Sequence, residues 1–266
     1  MTEVFKAKTV GEAWLKGIAH LIGQPSHRAF NVVLDIETPT VYLAADKQVY
    51  NLVDTFLRLH GTSVETVSDT IFPAKLYKRE GTSGVYDTYP NKVFPKIKAN
   101  PNNWWGTYAH RLVHRMDHTG KIIQPLKRAI DRLKAEKKLP GPAQAHAAYE
   151  VNLCDAFEMD IALADASMKG HNKRYGGPCL SHLSFKLVDH EEVSMIAFYR
   201  SHYYIARAYG NLVGLSQLLK FVARESGLKA GFITCISSYA QIDTSPWGIA
   251  QVKALVSESK NTLGII

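Results

Sequence analysis

A chain of 266 residues is long enough to bury a sizeable core, and 46% hydrophobic with 21% charged residues excludes a disordered or fibrous protein. The formal charge of +8 favours an anionic partner, whether a phosphate-bearing small molecule, a nucleic acid or an acidic membrane face, and charge alone does not separate these. Three cysteines, Cys154, Cys179 and Cys235, do not suggest a disulfide framework; with no signal-peptide core in MTEVFKAKTV and no run of about 18 apolar residues, the expectation is a cytoplasmic protein without a membrane span.

Residues 11–22, GEAWLKGIAHLI, set Trp14, Leu15, Ile18 and Ile22 at helical spacing, and FNVVLDI from Phe30 reads as a strand of branched residues. A second helix is expected over 47–60, where Val49, Leu52, Val53, Phe56, Leu57 and Leu59 form an apolar stripe that ends at Gly61. From 62 to 103, Gly81, Gly84, Pro90, Pro95 and Pro101 punctuate the aromatics, which predicts ordered loops. Over 125–138, Leu126, Ala129, Ile130 and Leu133 share one helical face, Pro125 suits the first turn, and Pro140-Gly141-Pro142 stops the chain. Lys127, Arg128, Arg132, Lys134 and Lys137 on that segment suit a solvated face better than a phosphate site.

After Cys179 the period becomes two: Leu183, Phe185 and Leu187 alternate with Ser184 and Lys186, and a turn at 189–192 leads into VSMIAFY as an antiparallel partner. Leu215, Leu218, Leu219 and Val222 then mark a helix ended by Gly227, before GFITCISSY resumes as a strand. Helices and strands mix without regular alternation, and there is no repeat or linker. The expectation is therefore an α+β fold, a mixed or antiparallel sheet with packed helices, in one domain over 1–266.

His110, His114 and His118 recur every four residues and would line one face of a helix, with Asp117 nearby, a spacing that can bind zinc. Ordinary surface or packing histidines are the plainer reading, and no metal is assigned. No P-loop, dinucleotide glycine pattern or paired-cysteine zinc motif occurs, so nucleotide hydrolysis and hydride transfer find no support.

The informative segment is 177–231, GPCLSHLSFKLVDHEEVSMIAFYRSHYYIARAYGNLVGLSQLLKFVARESGLKAG. Pro178-Cys179 opens one strand, Arg200-Ser201 closes the next, and Asn211 begins a long helix. In this order and spacing the segment resembles the central block of the thymidylate synthase superfamily. That resemblance implies a thymidylate synthase-like fold, a homodimer, and a pyrimidine nucleotide or nucleoside-like substrate, with neither nucleic acid nor membrane as partner. Its chemistry adds a cysteine thiolate to C6 of the ring, so that C5 becomes nucleophilic toward a one-carbon unit. Cys179 would be the nucleophile. Arg200, with Ser201, would hold substrate, its guanidinium lowering the thiol pKa. Asn211 would read the base, because an amide both donates and accepts, a pattern suited to uracil. It would also suit a helix N-cap.

Further upstream, NLVDTFLRLHGTS resembles the family helix whose acidic residue stands seven positions before a glycine, which places Asp54 as general acid/base. NNWWGTYAHRL resembles the segment whose tyrosine helps remove the C5 proton, which falls on Tyr108. Arg28 would match a loop arginine that closes over phosphate.

Three departures bear on the substrate. Tyr203 stands where the family has the aspartate that binds the pterin of 5,10-methylenetetrahydrofolate, and a phenol cannot reproduce that two-point acceptance. Gln241-Ile242-Asp243 stands where the family has the His-Ile-Tyr that holds the sugar hydroxyl; Gln241 and Asp243 stay polar but change type. No arginine pair occurs in LPGPAQAHAAYEVNLC, where the family's partner-subunit phosphate ligands fall, and Lys173 and Arg174 would be local substitutes. These departures keep open a nucleotide sensor without turnover, or a different heterocyclic acceptor.

Overall fold

A computed structural model describes residues 2–100, 106–116, 119–141, 149–153 and 178–265. Cys154, Asp117, His118, Lys173 and Arg174 lie outside the described residues.

Strand β1 (Glu3–Ala7) leads into helix α1 (Val10–Gly23), whose first turn is capped by Thr9 accepting from the Glu12 amide at 3.4 Å. Val10, Ala13, Trp14, Leu15, Ile18 and Leu21 are all buried, so α1 lies in the core. Strand β2 (Arg28–Ile36) follows, and α2 (Ala44–Arg58) is joined to the start of α1 by the buried Asp46, which accepts from Thr9 Oγ1 at 2.5 Å and from the Leu43 amide at 3.0 Å.

The stretch expected to form loops from residue 62 is instead largely helical as far as residue 98. It contains α3 (Val64–Asp69), α4 (Ala74–Ser83), a π-helical segment (Gly84–Val93) and α5 (Phe94–Lys98). Turn-forming residues mark the helix starts and bends of this stretch. Ser63 caps α3 by accepting from the Thr66 amide at 3.0 Å, Pro73 precedes α4, and Pro95 occupies the first turn of α5. Gly81 sits at φ +63° and kinks α4, while Pro90 is taken up by the π-helical segment.

Helix α6 (Tyr108–Val113) and a short ribbon, β3 (Arg115–Met116) with β4 (Ile122–Ile123), precede α7 (Pro125–Glu136). As its spacing predicts, α7 buries Leu126, Ala129, Ile130 and Leu133, and its basic residues face solvent. The remaining elements are β5 (Glu150–Asn152), β6 (Leu180–Val188), β7 (Glu192–Tyr199), β8 (His202–Tyr203), a π-helical turn (Tyr204–Ala208), α8 (Tyr209–Ser226), β9 (Lys229–Gln241) and α9 (Ile249–Leu263). Gly227, at φ +71°, ends α8.

Among the described residues the main sheet has seven strands in the order β1-β2-β9-β7-β6-β5, with β8 beside the end of β9. It is mixed: β1–β2 and β7–β9 run parallel, while β2–β9, β6–β7 and β5–β6 run antiparallel. Helices α1 and α8 pack on its central strands, giving an α+β architecture of one mixed sheet with packed helices. No helix among the described residues is long and apolar enough to cross a membrane.

Candidate active site

The β6–β7 hairpin puts Cys179 and Arg200 at one end of the sheet, because its antiparallel register pairs Leu180 with Tyr199. Cys179 immediately precedes β6 and Arg200 immediately follows β7. The Arg200 amide donates to the Cys179 carbonyl at 2.9 Å, and Arg200 Nε donates to the Pro178 carbonyl at 2.9 Å. Ser238 Oγ holds the Arg200 carbonyl at 2.9 Å.

Tyr108 reaches the same point from the start of α6. Its hydroxyl oxygen accepts from the Cys179 amide at 2.9 Å and from the Leu180 amide at 3.2 Å. The turn that carries it is fixed by Thr107, which caps α6 by accepting from the His110 amide at 3.2 Å and shares a hydrogen bond with Tyr89 at 2.8 Å. Burial pushes the Tyr108 phenol well above its ordinary range, with a further push from the neighbouring Cys179, so it stays protonated.

Cys179 is a free, half-buried thiol. Burial raises its pKa, and the Arg200 and Arg207 guanidiniums pull it back down. The sequence led to a thiol lowered by arginine; here desolvation outweighs both cations, and the balance lies above the ordinary value. Arg207, an exposed residue of the π-helical turn, was not singled out from sequence. Its signal was a positive charge on the short connection between Arg200 and Asn211.

That turn is held by Asp243. One carboxylate oxygen accepts from the Ile205 amide at 3.0 Å, the other from the Ala206 amide at 3.1 Å, and Trp247 Nε1 donates at 3.3 Å. Trp247 in turn stacks on Phe56 at 5.4 Å, and Trp14 Nε1 donates to the Tyr204 carbonyl at 2.9 Å. Asp243 thus fixes the backbone that carries Arg207.

Asn211 is the third residue of α8, within the first turn of a helix whose N-cap is Ala208, and so it is not the N-cap its residue type suggested. Its Nδ2 lies 3.1 Å from Nε2 of the buried His202, whose Nδ1 is 2.9 Å from Ser237 Oγ. His202 also escaped the sequence reading, although period two between Ser201 and Tyr203 points it inward.

Strand register sets Arg28 opposite Gln241 and Gln241 opposite Tyr203, so three predicted binding residues form one row across β2, β9 and β8. That row lies at the end of the sheet that carries Arg200, with Tyr203 42% exposed. Ser201 is half-buried between β7 and β8. Asp54 sits at the corner of α2 and α3, where its two oxygens accept from Arg58 Nε at 2.6 Å and from the Val64 amide at 2.9 Å.

The helix that would align the histidines ends at Val113: His114 is extended at φ −149°, His110 stacks on Phe94 at 3.5 Å and on His114 at 5.0 Å, and His118 lies outside the described residues. Among the described residues no cluster of three His, Cys, Asp or Glu could hold a metal. A cavity of about 540 Å³ lined by Lys6, Lys8, Glu12, Asp35, Glu37 and Phe232 lies at the opposite end of the sheet, where Ile36 pairs with Ile233.

No family model matches the chain. A protein of Methanosarcina mazei named "Putative thymidylate synthase" is 35% identical over 74 residues, which are 28% of this chain and 34% of that protein. Proteins of the same name from Methanosarcina barkeri and Methanococcoides burtonii are 36% identical over 74 residues and 39% identical over 70 residues, covering 28% and 26% of this chain. The chain spans about a third of the length of the curated relatives it matches (34%, 34% and 32%). These matches support a distant thymidylate synthase-like relationship.

Proposed function

We propose that the chain is a single-domain one-carbon transferase, working as a homodimer, that acts at C5 of a pyrimidine nucleotide or nucleoside-like substrate through a covalent adduct on Cys179. The observation that carries the reading is the convergence on Cys179 of Tyr108, Arg200 and the charge of Arg207. The names of the archaeal relatives point to the same class of reaction.

In this reading the Cys179 thiol loses its proton and the thiolate forms a bond to C6, moving the ring electrons onto the C4 carbonyl oxygen and C5. C5 then bonds to the electrophilic carbon of the one-carbon carrier. Loss of the C5 proton expels the carrier as the leaving group and gives an exocyclic methylene. Addition of a hydride (methyl product) or of water (hydroxymethyl product) to that methylene lets the C5–C6 double bond re-form as the Cys179 thiolate leaves. Tyr108 holds the backbone on either side of the Cys179–Leu180 peptide so that the thiol keeps one position, while Arg200 and Arg207 supply positive charge for the thiolate and for a phosphate. Asn211 meets the polar edge of the ring.

The resemblance implies 5,10-methylenetetrahydrofolate as donor, and the residues present do not fit it at the pterin edge. Tyr203 offers a phenol where a carboxylate is needed, and the nearby Asp243 is committed to Ile205, Ala206 and Trp247. The donor is therefore named only as an electrophilic one-carbon carrier.

Intact-mass spectrometry with 5-fluorodeoxyuridine monophosphate, with and without methylenetetrahydrofolate, tests the adduct. The expected result is a mass increase of one nucleotide that maps to Cys179 and disappears in Cys179→Ser. A folded wild type that binds the analogue reversibly and never adds to it refutes the enzyme and leaves the sensor.

A further inference from the structure

His202 takes no part in the route above, yet its ring is 1% exposed and lies between two buried partners, Asn211 and Ser237. One ring face stacks on Tyr199 at 4.0 Å and 5°, and Tyr204 meets the ring at 5.4 Å. Burial pulls its pKa down to about 3, so the imidazole is neutral and has one donor and one acceptor. An amide nitrogen can only donate, which makes Nε2 the acceptor from Asn211 Nδ2. The proton then sits on Nδ1 and goes to Ser237 Oγ. The Asn211 amide is thereby held with its nitrogen toward His202 and its Oδ1 turned away.

The direction of that amide matters because uracil and cytosine present reversed patterns. Uracil shows an N3–H donor beside an O4 acceptor, whereas cytosine shows an N3 acceptor beside an amino donor. An amide free to turn over would match either ring. We infer that His202 is a specificity-positioning residue: with Ser237 it locks the Asn211 side chain in one orientation, and this lock makes the site discriminate uracil-type from cytosine-type rings. The discrimination rests on the pyrimidine reading above, whereas the lock does not.

The test pairs two readouts on the full chain. Long-range 1H–15N spectra of histidine-labelled protein, with the His202 signals assigned by their loss in His202→Phe, report the tautomer. Calorimetry measures deoxyuridine and deoxycytidine monophosphate binding to wild type, His202→Phe and Ser237→Ala. Phenylalanine keeps the stack on Tyr199 and removes the Nε2 acceptor; Ser237→Ala is a smaller change that keeps the imidazole and loosens its tautomer. The expected results are a proton on Nδ1 and a bare Nε2 in the free protein, a wild-type preference for the uracil nucleotide, and a preference narrowed about tenfold in His202→Phe and by less in Ser237→Ala. A proton on Nε2, or an unchanged preference in a folded Ser237→Ala or His202→Phe protein, overturns the lock even where nucleotides bind. A wild type with the expected tautomer that binds neither nucleotide overturns the pyrimidine reading, and the discrimination with it.

Discussion

The thiol of Cys179 is set by two opposed forces, desolvation that favours the neutral form and two guanidiniums that favour the thiolate. Because burial wins, half-maximal alkylation by iodoacetamide should fall above the ordinary cysteine value of about pH 8.5. Arg200→Ala and Arg207→Ala each remove a cation that stabilises the thiolate, so each should move that midpoint further up. Midpoints unchanged in both variants refute the coupling. Cys179, Arg200 and Asn211 could be singled out from sequence because their residue types and spacing resemble those of the thymidylate synthase central block. The charge balance around them could not, since it depends on how deeply 178–180 is covered and on an arginine whose position follows from a turn held by Asp243.

At the scale of elements, α6 and β6 are joined through one phenol oxygen that serves two backbone amides at the start of the strand. Tyr108→Phe keeps the ring packing and leaves both N–H groups without that acceptor, so it should cost about 2 kcal/mol in urea unfolding and increase Cys179 reactivity toward alkylation. A loss below about 0.5 kcal/mol would mean that the oxygen is not their main partner. The strands around this junction, β6, β7 and β9, were legible because period two in 183–199 and the branched run in 232–236 have one physical reading. The helical content of 64–98 was hidden because Gly81, Pro90 and Pro95 read as loop punctuation, yet a glycine suits a kink, and a proline suits a helix start or is taken up in a π-helical segment. Asn211 was misplaced as a cap for a related reason: the π-helical turn Tyr204–Ala208 feeds straight into α8 and moves the helix start upstream.

For the whole molecule, the two faces of the sheet differ. Val32, Leu34, Ile233, Cys235, Met195 and Ala197 point into the core, while Val33, Ile236 and Phe198 form a row across β2, β9 and β7 on the other face. Beside it Asp35, Thr234 and Ile196 form a second row, with Asp35 accepting from Thr234 at 3.0 Å. Phe198 is 37% exposed and Phe232 38%, and on β5 Glu150 gathers His182, Ser184 and Lys186 at the margin. An apolar row with a charged margin on a partly exposed sheet face suits a two-fold contact with a second copy, in which the same row meets itself. Sedimentation velocity at micromolar concentration should therefore give a dimer. Phe198→Glu places like charges opposite each other at the centre of that contact and should give a monomer with an unchanged circular dichroism spectrum. A wild type that sediments as a monomer across that range, or a Phe198→Glu variant that remains a dimer, removes this face as the contact. If the monomeric variant keeps adduct formation at Cys179, each copy carries a complete thiol site; if adduct formation is lost while Cys179 still alkylates normally, the second copy is needed to hold the nucleotide.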